Sequence, residues 1–402
     1  MISAASRPFI DASVPVLRAH GLAITTTFYQ NVFAELPALT NLFNMGNQAN
    51  GAQQQSLASA VFAYAANIGN PEALGPVVNR IVHKHVSVGI RAEHYPIVGR
   101  HLLGAIAETL GEAATPELLA AWDEAYNSLA SLFIEAEKRL YTEAGIEPGQ
   151  TRAMTVTGVT RESADVVSIR MAPADGNQAP AFKPGQYVSC TVDFGDGRSQ
   201  MRQYSLSDAP DPNSLRISVK REDGTGTGTG AGTAPGQVSN WLHANVRVGS
   251  TLHISPPCGD FTPDTESDEP VLLLSAGVGI TPLIAALNRI ARHNPQRRVL
   301  FAHAARDVQH QAHSADIAQA QQAMPNLQVL TFYENAEGAP HAIAGHMDPA
   351  QFPAWPRSQA KVYLCGPIGF LQAQWKALLA AGVPVTRLQR EVFGPEALDH
   401  LL

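Results

Sequence analysis

The sequence predicts a multidomain protein of three consecutive blocks: all-helical, then antiparallel β, then a parallel α/β sheet. Three observations predict it. Residues 1 to about 142 carry apolar residues at the 3.6-residue period of a helix, with few β-branched runs. From about 152 to 262 short strands alternate with turn residues. From 270 onward strands alternate with helical stretches, the pattern of βα units. A length of 402 residues suits two or three domains.

Composition narrows the function classes. Hydrophobic residues make up 45% and charged residues 16%, which supports folded cores. Lys and Arg number 28 against 35 Asp and Glu, a formal net charge of −7. That balance argues against nucleic acid as the main partner and gives no reason to invoke an anionic membrane surface. Cys190, Cys258 and Cys365 contain no CxxC pair, so a disulfide framework, a Cys-ligated zinc or an iron–sulfur site is not expected. They suit a reducing compartment. The start, MISAASRPFIDAS, lacks a continuous apolar core followed by a cleavage site, so a cytoplasmic protein is expected. Pro270 to Asn288 runs 19 residues without a charge, long enough to suggest a membrane span. Gly277, Gly279 and Pro282 interrupt it, and a buried strand, a glycine turn and a helix explain it better.

The helical block breaks at Pro37, Gly46, Pro71 and Gly111, and TEAGIEPGQT (142–151) reads as a linker. The expected domains are 1–142, 152–262 and 268–402. The strands of the second block are MTVTGVTRE, VVSIRMAP, QYVSCTVDF, RQYSLSD, LRISVKRE and STLHISPP, a number and spacing that suit an antiparallel barrel or sandwich. The strands of the third are VLLLSAG, VLFAHAAR, LQVLTFYE and KVYLCGP. DGTGTGTGAGTAPG (223–236) is low in complexity and reads as a mobile surface loop.

In VLLLSAGVGITPLIAAL, Gly277 and Gly279 lie between a strand and a helix. Glycines there let the backbone approach a pyrophosphate, and the helix N-terminus offers free N–H groups. Pro282 suits the first helical turn but replaces the third glycine of GxGxxG. GVGITP, followed by LCGP (364–367) and EVFG (391–394), resembles the ferredoxin–NADP reductase superfamily. PGQY (184–187) and RQYS (202–205) are similar to its flavin-binding segments. The resemblance implies an FAD site at Tyr187, Arg202, Gln203, Tyr204 and Ser205. Arg202 suits a phosphate, the tyrosines suit the isoalloxazine ring and Ser205 suits a hydrogen bond. It implies a dinucleotide site at Gly277, Val278, Gly279, Ile280 and Thr281, and further cofactor-binding residues Glu391, Val392, Phe393, Gly394 and Pro395 in the C-terminal motif.

In the first block, PVVNRIVHKHVSVGI places His85 on one helix face with Val78, Ile81, Val82 and Val88, and turns His83 toward solvent. A lone histidine on an apolar face is either a satisfied core residue or a haem ligand held by its other nitrogen. Tyr29 falls in register with Leu22, Val32, Phe33 and Leu36, so its hydroxyl enters an apolar region and needs a partner. Gln53 and Leu57 share a face, and Phe43 sits in the short connection NLFNMGNQ. Together these resemble a globin. The order His85, Tyr95, Glu137 is similar to the globin domain of the bacterial flavohaemoglobins. FYQ (28–30), NLFNM (41–45), HKH (83–85), YPIVG (95–99), VSNWLH (238–243) and EVFGP (391–395) extend the likeness over the whole chain.

That resemblance implies haem b with His85 as the iron ligand, bonded to Glu137 and Tyr95. It implies one FAD and NADH or NADPH as electron donor. The implied activity is nitric oxide dioxygenation, in which NO and O2 become nitrate. Tyr29 and Gln53 are the implied hydrogen-bond donors of the distal pocket, with Leu57 and Phe43 keeping it apolar. Lys84 and Glu391 match positions expected near haem and flavin. Hydroperoxide reduction on a lipid held in the distal pocket, an O2 or NO sensor, and a flavoprotein whose helical block only docks a partner are the alternatives. Arg306 could meet a 2′-phosphate or be a surface charge, so the sequence leaves NADH and NADPH both open. It predicts no membrane span and no particular oligomer.

Overall fold

The computed structural model describes residues 2–41, 43, 46, 48, 50–224 and 234–394. Most of the Gly/Thr tract, much of NLFNMGNQ, and Pro395 lie outside the described residues.

The helical block contains α1 (Arg7–Glu35), α2 (Ala52–Ala66), α3 (Pro71–Ser87), α4 (His94–Leu110) and α5 (Pro116–Ala144). Helix α1 packs on α2, α4 and α5, and α3 packs on α5. Small residues, Gly21 and Ala58, let α1 and α2 approach closely. Two apolar clusters result. The first joins Phe28, Tyr29 and Val32 of α1 to Phe62, Leu102, Ile106 and Trp122. The second gathers Val82, Tyr95, Ala130 and Phe133.

Local details differ from expectation. Helix α5 runs through the first residues of the expected linker to Ala144, because Gly145 supplies the left-handed C-cap at φ +66°. Gly46 is no break: its carbonyl accepts from the Asn50 amide in a helical turn. Leu22 is 49% exposed, because the buried stripe of α1 is centred on Gly21, Thr25 and Phe28. His83 is only half-buried and its Nδ1 is out of solvent, so it does not project freely into water.

The second block forms β1 (Arg152–Arg161), β2 (Val166–Pro173), β3 (Tyr187–Asp193), β4 (Ser199–Ser205), β5 (Leu215–Lys220) and β6 (Thr251–Ile254), in the order β4-β3-β6-β1-β2-β5. Leu206, just past β4, bridges antiparallel to Ile217 of β5, which joins the two edges and closes a barrel. Met154, Val156, Ile169, Met171, Val188 and Ile217 fill it. Helix α6 (Gln237–Asn245), which contains VSNWLH, follows β5 and adds a helix to the expected strands.

The third block has β7 (Val271–Ala276), α7 (Ile280–His293), β8 (Val299–Ala305), α8 (Ser314–Ala323), β9 (Leu327–Tyr333), β10 (Ile343–Ala344), β11 (Lys361–Cys365), α9 (Ile368–Ala380) and β12 (Leu388–Glu391). Strands β10 and β12 extend the four expected strands. The parallel order is β10-β9-β8-β7-β11-β12. Leu273 and Phe301 pack into one layer, while Leu272 and Leu300 pack into the other. Both faces are covered, which is why these strands read as unbroken apolar runs. The apolar stretch from Pro270 is therefore strand, turn and helix. Among the described residues no helix is long and apolar enough to cross a membrane.

Candidate functional site

Helix α3 ends at Ser87, two residues after His85. The Ile90 amide donates to the His85 carbonyl at 2.9 Å and the Gly89 amide donates to Val86 at 3.1 Å. This closing motif requires the left-handed φ of +78° that Gly89 supplies. It fixes the backbone that carries the imidazole. Helix α5 presents Phe133, Glu137 and Tyr141 four residues apart, on one face. Phe133 meets the His85 ring edge-on, with centroids 5.5 Å apart. Tyr141 donates to the Ile90 carbonyl at 2.9 Å, tying α5 to the end of α3.

His85 Nδ1 lies 2.7 Å from Glu137 Oε1 and 3.0 Å from the Tyr95 hydroxyl. Tyr95 donates to the same Glu137 oxygen. Burial and the adjacent carboxylate push the Tyr95 phenol well above its usual range, so it stays a protonated donor. The Glu137 oxygen that accepts from Tyr95 also sits against Nδ1, which leaves Nε2 as the ring nitrogen for a ligand. That donor set fits a haem iron: one imidazole nitrogen is held by the carboxylate and the other remains to meet a metal. Tyr126 supports Tyr95 from behind by donating to its carbonyl at 2.6 Å. Phe133, Tyr126 and Tyr141 were not anticipated; the spacing 133, 137, 141 was the available signal.

Tyr29, Gln53, Phe43 and Leu57 come together as well. The Gln53 side chain bonds the Tyr29 hydroxyl, while burial pushes that phenol up to about 12. Tyr29 stacks on Phe33 and meets Phe43 edge-on, both at 5.7 Å. Leu57 packs against the same cluster. Thr25 donates to the Gln54 carbonyl at 2.9 Å and holds the start of α2 against α1. Lys84 lies exposed on α3.

In the barrel, β4 alternation puts Arg202 and Tyr204 on one face and Gln203 and Ser205 on the other. Gln203 donates to Ser189 at 3.0 Å and Ser205 is buried. Burial lowers the Arg202 guanidinium and raises the Tyr204 phenol. A cation partly withdrawn from water suits a phosphate, and fits the FAD expectation. Gly185 has φ +102°, and any Cβ there would meet the Phe261 carbonyl oxygen at 2.2 Å. That close approach turns the chain into Tyr187.

The strand order reverses between β7 and β11, so the turns that follow these two strands sit side by side. A Cβ on Gly279 would lie 2.3 Å from the Cys365 carbonyl oxygen. GVGITP and LCGP are therefore one packed unit. The space at Gly279 is taken by the protein itself, whereas at Gly277 (φ +54°) it is open. Ile280 and Thr281 are buried. Val278 is half-buried and its carbonyl accepts from Thr281 at 3.0 Å. Glu391 pairs in register with Cys365, Val392 packs below, Phe393 is 45% exposed, and Gly394 turns the chain at φ +125°. Arg306 faces Asp165 at 3.7 Å.

The globin family model matches residues 26–133, the oxidoreductase FAD-binding domain 153–262 and the oxidoreductase NAD-binding domain 273–376. A flavohemoprotein from Bordetella parapertussis is 45% identical, with 98% of this chain and 99% of the relative covered. One from Chromobacterium violaceum is 46% identical, covering 99% and 100%. The chain belongs to the flavohemoprotein family. It combines a globin with FAD-binding and NAD-binding oxidoreductase domains. The crystal structure of flavohemoglobin from Malassezia yamatoensis, with bound FAD and heme, superposes with a TM-score of 0.84 at 28% identity, covering 98% of this chain and 100% of that one. The FAD/NAD-binding domain of nitric oxide dioxygenase from Vibrio cholerae is 38% identical, with a TM-score of 0.56, covering 61% of this chain and 100% of that one.

Proposed function

We propose that the chain is an NAD(P)H-dependent nitric oxide dioxygenase. The observation that carries the reading is the His85–Glu137–Tyr95 triad in a globin fused to a flavin reductase. Each turnover joins NO, O2 and one electron into nitrate, so one NAD(P)H serves two NO molecules. When bound, haem would supply O2 binding and activation, and FAD would divide the two electrons of a hydride into single transfers.

The chain's own residues do the rest. His85 would hold the iron through Nε2. Glu137 accepts the Nδ1 proton's hydrogen bond and makes the imidazole a stronger electron donor. Tyr95 holds Glu137 in place. Tyr29, bonded to Gln53, would be placed to donate a hydrogen bond to a ligand in the distal pocket. Phe43 and Leu57 exclude water from that pocket. Arg202 would hold a flavin phosphate, Tyr187 and Tyr204 would stack on or bond to the ring, Ser205 would give it a hydrogen bond, and Gln203 would belong to the same FAD segment. The turn at Gly277 offers backbone N–H groups to the nucleotide. The modules span 1–142, 152–262 and 268–402 in this reading. Cytoplasmic placement is supported by three buried free thiols and by the need for NAD(P)H.

One anaerobic titration tests the reading. Purified protein is expected to show haem and flavin absorbance, and NADH or NADPH is expected to convert the haem to the ferrous form before NO consumption is assayed. Arg202→Ala is expected to lose FAD and NADH-driven haem reduction while keeping the ferric haem spectrum. A wild-type chain that takes up no haem defeats the proposal.

A further inference from the structure

A buried polar cluster joins the barrel to the parallel-sheet layer, and none of the roles above uses it. On the barrel side, Asp208 directly continues the RQYS segment and Ser218 comes from β5. On the other side, Asn288 and Arg292 sit on α7, the helix that begins at the GVGITP turn, and His313 and Asp316 sit at the start of α8. Asn288 Nδ2 donates to Asp208 at 3.0 Å and to Asp316 at 2.8 Å. Arg292 donates to Asp208 at 2.8 Å. The His313 ring spans the gap, with Nε2 3.0 Å from Ser218 and Nδ1 2.9 Å from Asp316. Arg216 of β5 neutralises Asp316 at 3.1 Å.

His313 is fully buried, and among the described residues it is the one non-glycine with positive φ, +60°. A left-handed backbone is costly for a residue with a Cβ. Here that conformation aims one ring at both halves of the cluster. Asn288 lies two to three turns along α7 from the nucleotide turn, on a rigid helix. Asp208 lies four residues past Tyr204. The cluster therefore ties the strand expected to hold flavin to the helix expected to hold nicotinamide nucleotide, and not merely two surfaces.

We propose that Asn288 and His313 are positioning residues for hydride transfer, setting the register between the flavin segment and the nucleotide turn. The proposal rests on the FAD and NAD(P)H reading above. The step moves a hydride, two electrons and one proton, from reduced nicotinamide to oxidised flavin, which takes a second proton from solvent. Such a transfer needs reacting atoms about 3–3.5 Å apart, and an error near 1 Å is worth on the order of 100-fold in rate.

The test uses the full-length, FAD-loaded chain in two variants. Asn288→Ala removes the bridge between the two carboxylates. His313→Asn keeps a residue that tolerates positive φ but is too short to span Ser218 and Asp316. Flavin bleaching by NADH is followed anaerobically at varied NADH. The limiting rate is expected to fall at least about tenfold, with half-saturation changed less than about threefold. The long-wavelength charge-transfer absorbance of the nicotinamide–flavin pair is expected to weaken, and amide hydrogen exchange is expected to rise in 215–220 and 314–323. Limiting rates within about twofold of wild type, despite raised exchange, make the cluster purely structural and overturn the proposal. Loss of FAD from both variants overturns it too, because the cluster would then retain flavin instead of aligning it. Wild-type flavin that neither NADH nor NADPH reduces removes the underlying reading, a failure visible without any variant.

Discussion

His85 Nδ1 and Glu137 Oε1 lie 2.7 Å apart although 52 residues separate them in the chain. Glu137 is buried, and the same oxygen also accepts from Tyr95. Two donors on one buried carboxylate oxygen hold the imidazole in a single orientation and a single tautomer.

Glu137→Gln tests that arrangement. The amide is a weaker acceptor than a carboxylate, so the imidazole becomes a poorer electron donor. The haem midpoint potential is expected to rise, and NO dioxygenation to slow by about 10–100-fold, the usual range for a lost partner of a metal-bound histidine. Spectroelectrochemistry reads the first effect and NO consumption the second. An unchanged potential would remove Glu137 from the electronic account.

Tyr29→Phe removes a donor from the distal pocket but keeps the ring that packs on Phe33 and Phe43. The lost hydrogen bond is worth roughly 1.5–3 kcal/mol, so O2 is expected to dissociate about 10–100 times faster. Stopped-flow release of O2 checks this. Unchanged release would take Tyr29 out of the distal role.

The Tyr29 phenol also carries a pH signature. Its folded value is pushed up to about 12 from 10.0 by burial. The unfolded chain therefore loses this proton first as pH rises. Its contribution to stability is complete below pH 10 and declines between about 10 and 12, at up to about 1.4 kcal/mol per unit. Thermal unfolding of wild type and Tyr29→Phe across that window is expected to converge.

His303 predicts an acid limit for the third block. Burial pushes it down to about 3, Ser275 holds Nδ1 at 2.8 Å, and its buried Nε2 has no partner. The unfolded chain takes up this proton near pH 6.5 and the folded chain refuses it. Stability is thus present above pH 6.5 and lost toward pH 3, at about 1.4 kcal/mol per unit. His303→Asn is expected to flatten that slope in urea unfolding between pH 7 and 4.5. An equally steep slope in the variant assigns the acid loss elsewhere.

Gly279→Ala and Gly277→Ala separate packing from backbone freedom. The Gly279 methyl would collide with the Cys365 backbone, which cannot swing aside as a side-chain tip can. Loss of several kcal/mol and a raised KM for NADH are expected. At Gly277 the space is open and only the positive φ resists, so about 1–2 kcal/mol is expected. Equal effects at the two positions would contradict the packed-turn account.

Features dictated by local chemistry are legible in the amino-acid order. Strand and helix periods separated the three blocks, and the glycine turn converted a charge-free stretch of membrane length into strand, turn and helix. Helix periodicity put His85 on an apolar face, but it left that histidine either a core residue or a ligand. Tyr95 and Glu137 entered only through family resemblance, since nothing in their own segments points across to α3. The short strands β10 and β12, and helix α6, were also missed, because two- to four-residue strands and a nine-residue helix leave little periodic signal. Only the tertiary structure decided which oxygen meets His85, why Gly279 has no room for a side chain, and that Asn288 and His313 join two blocks. Those relationships are made by groups far apart in the chain, and their energies depend on burial and direction, which sequence spacing does not record.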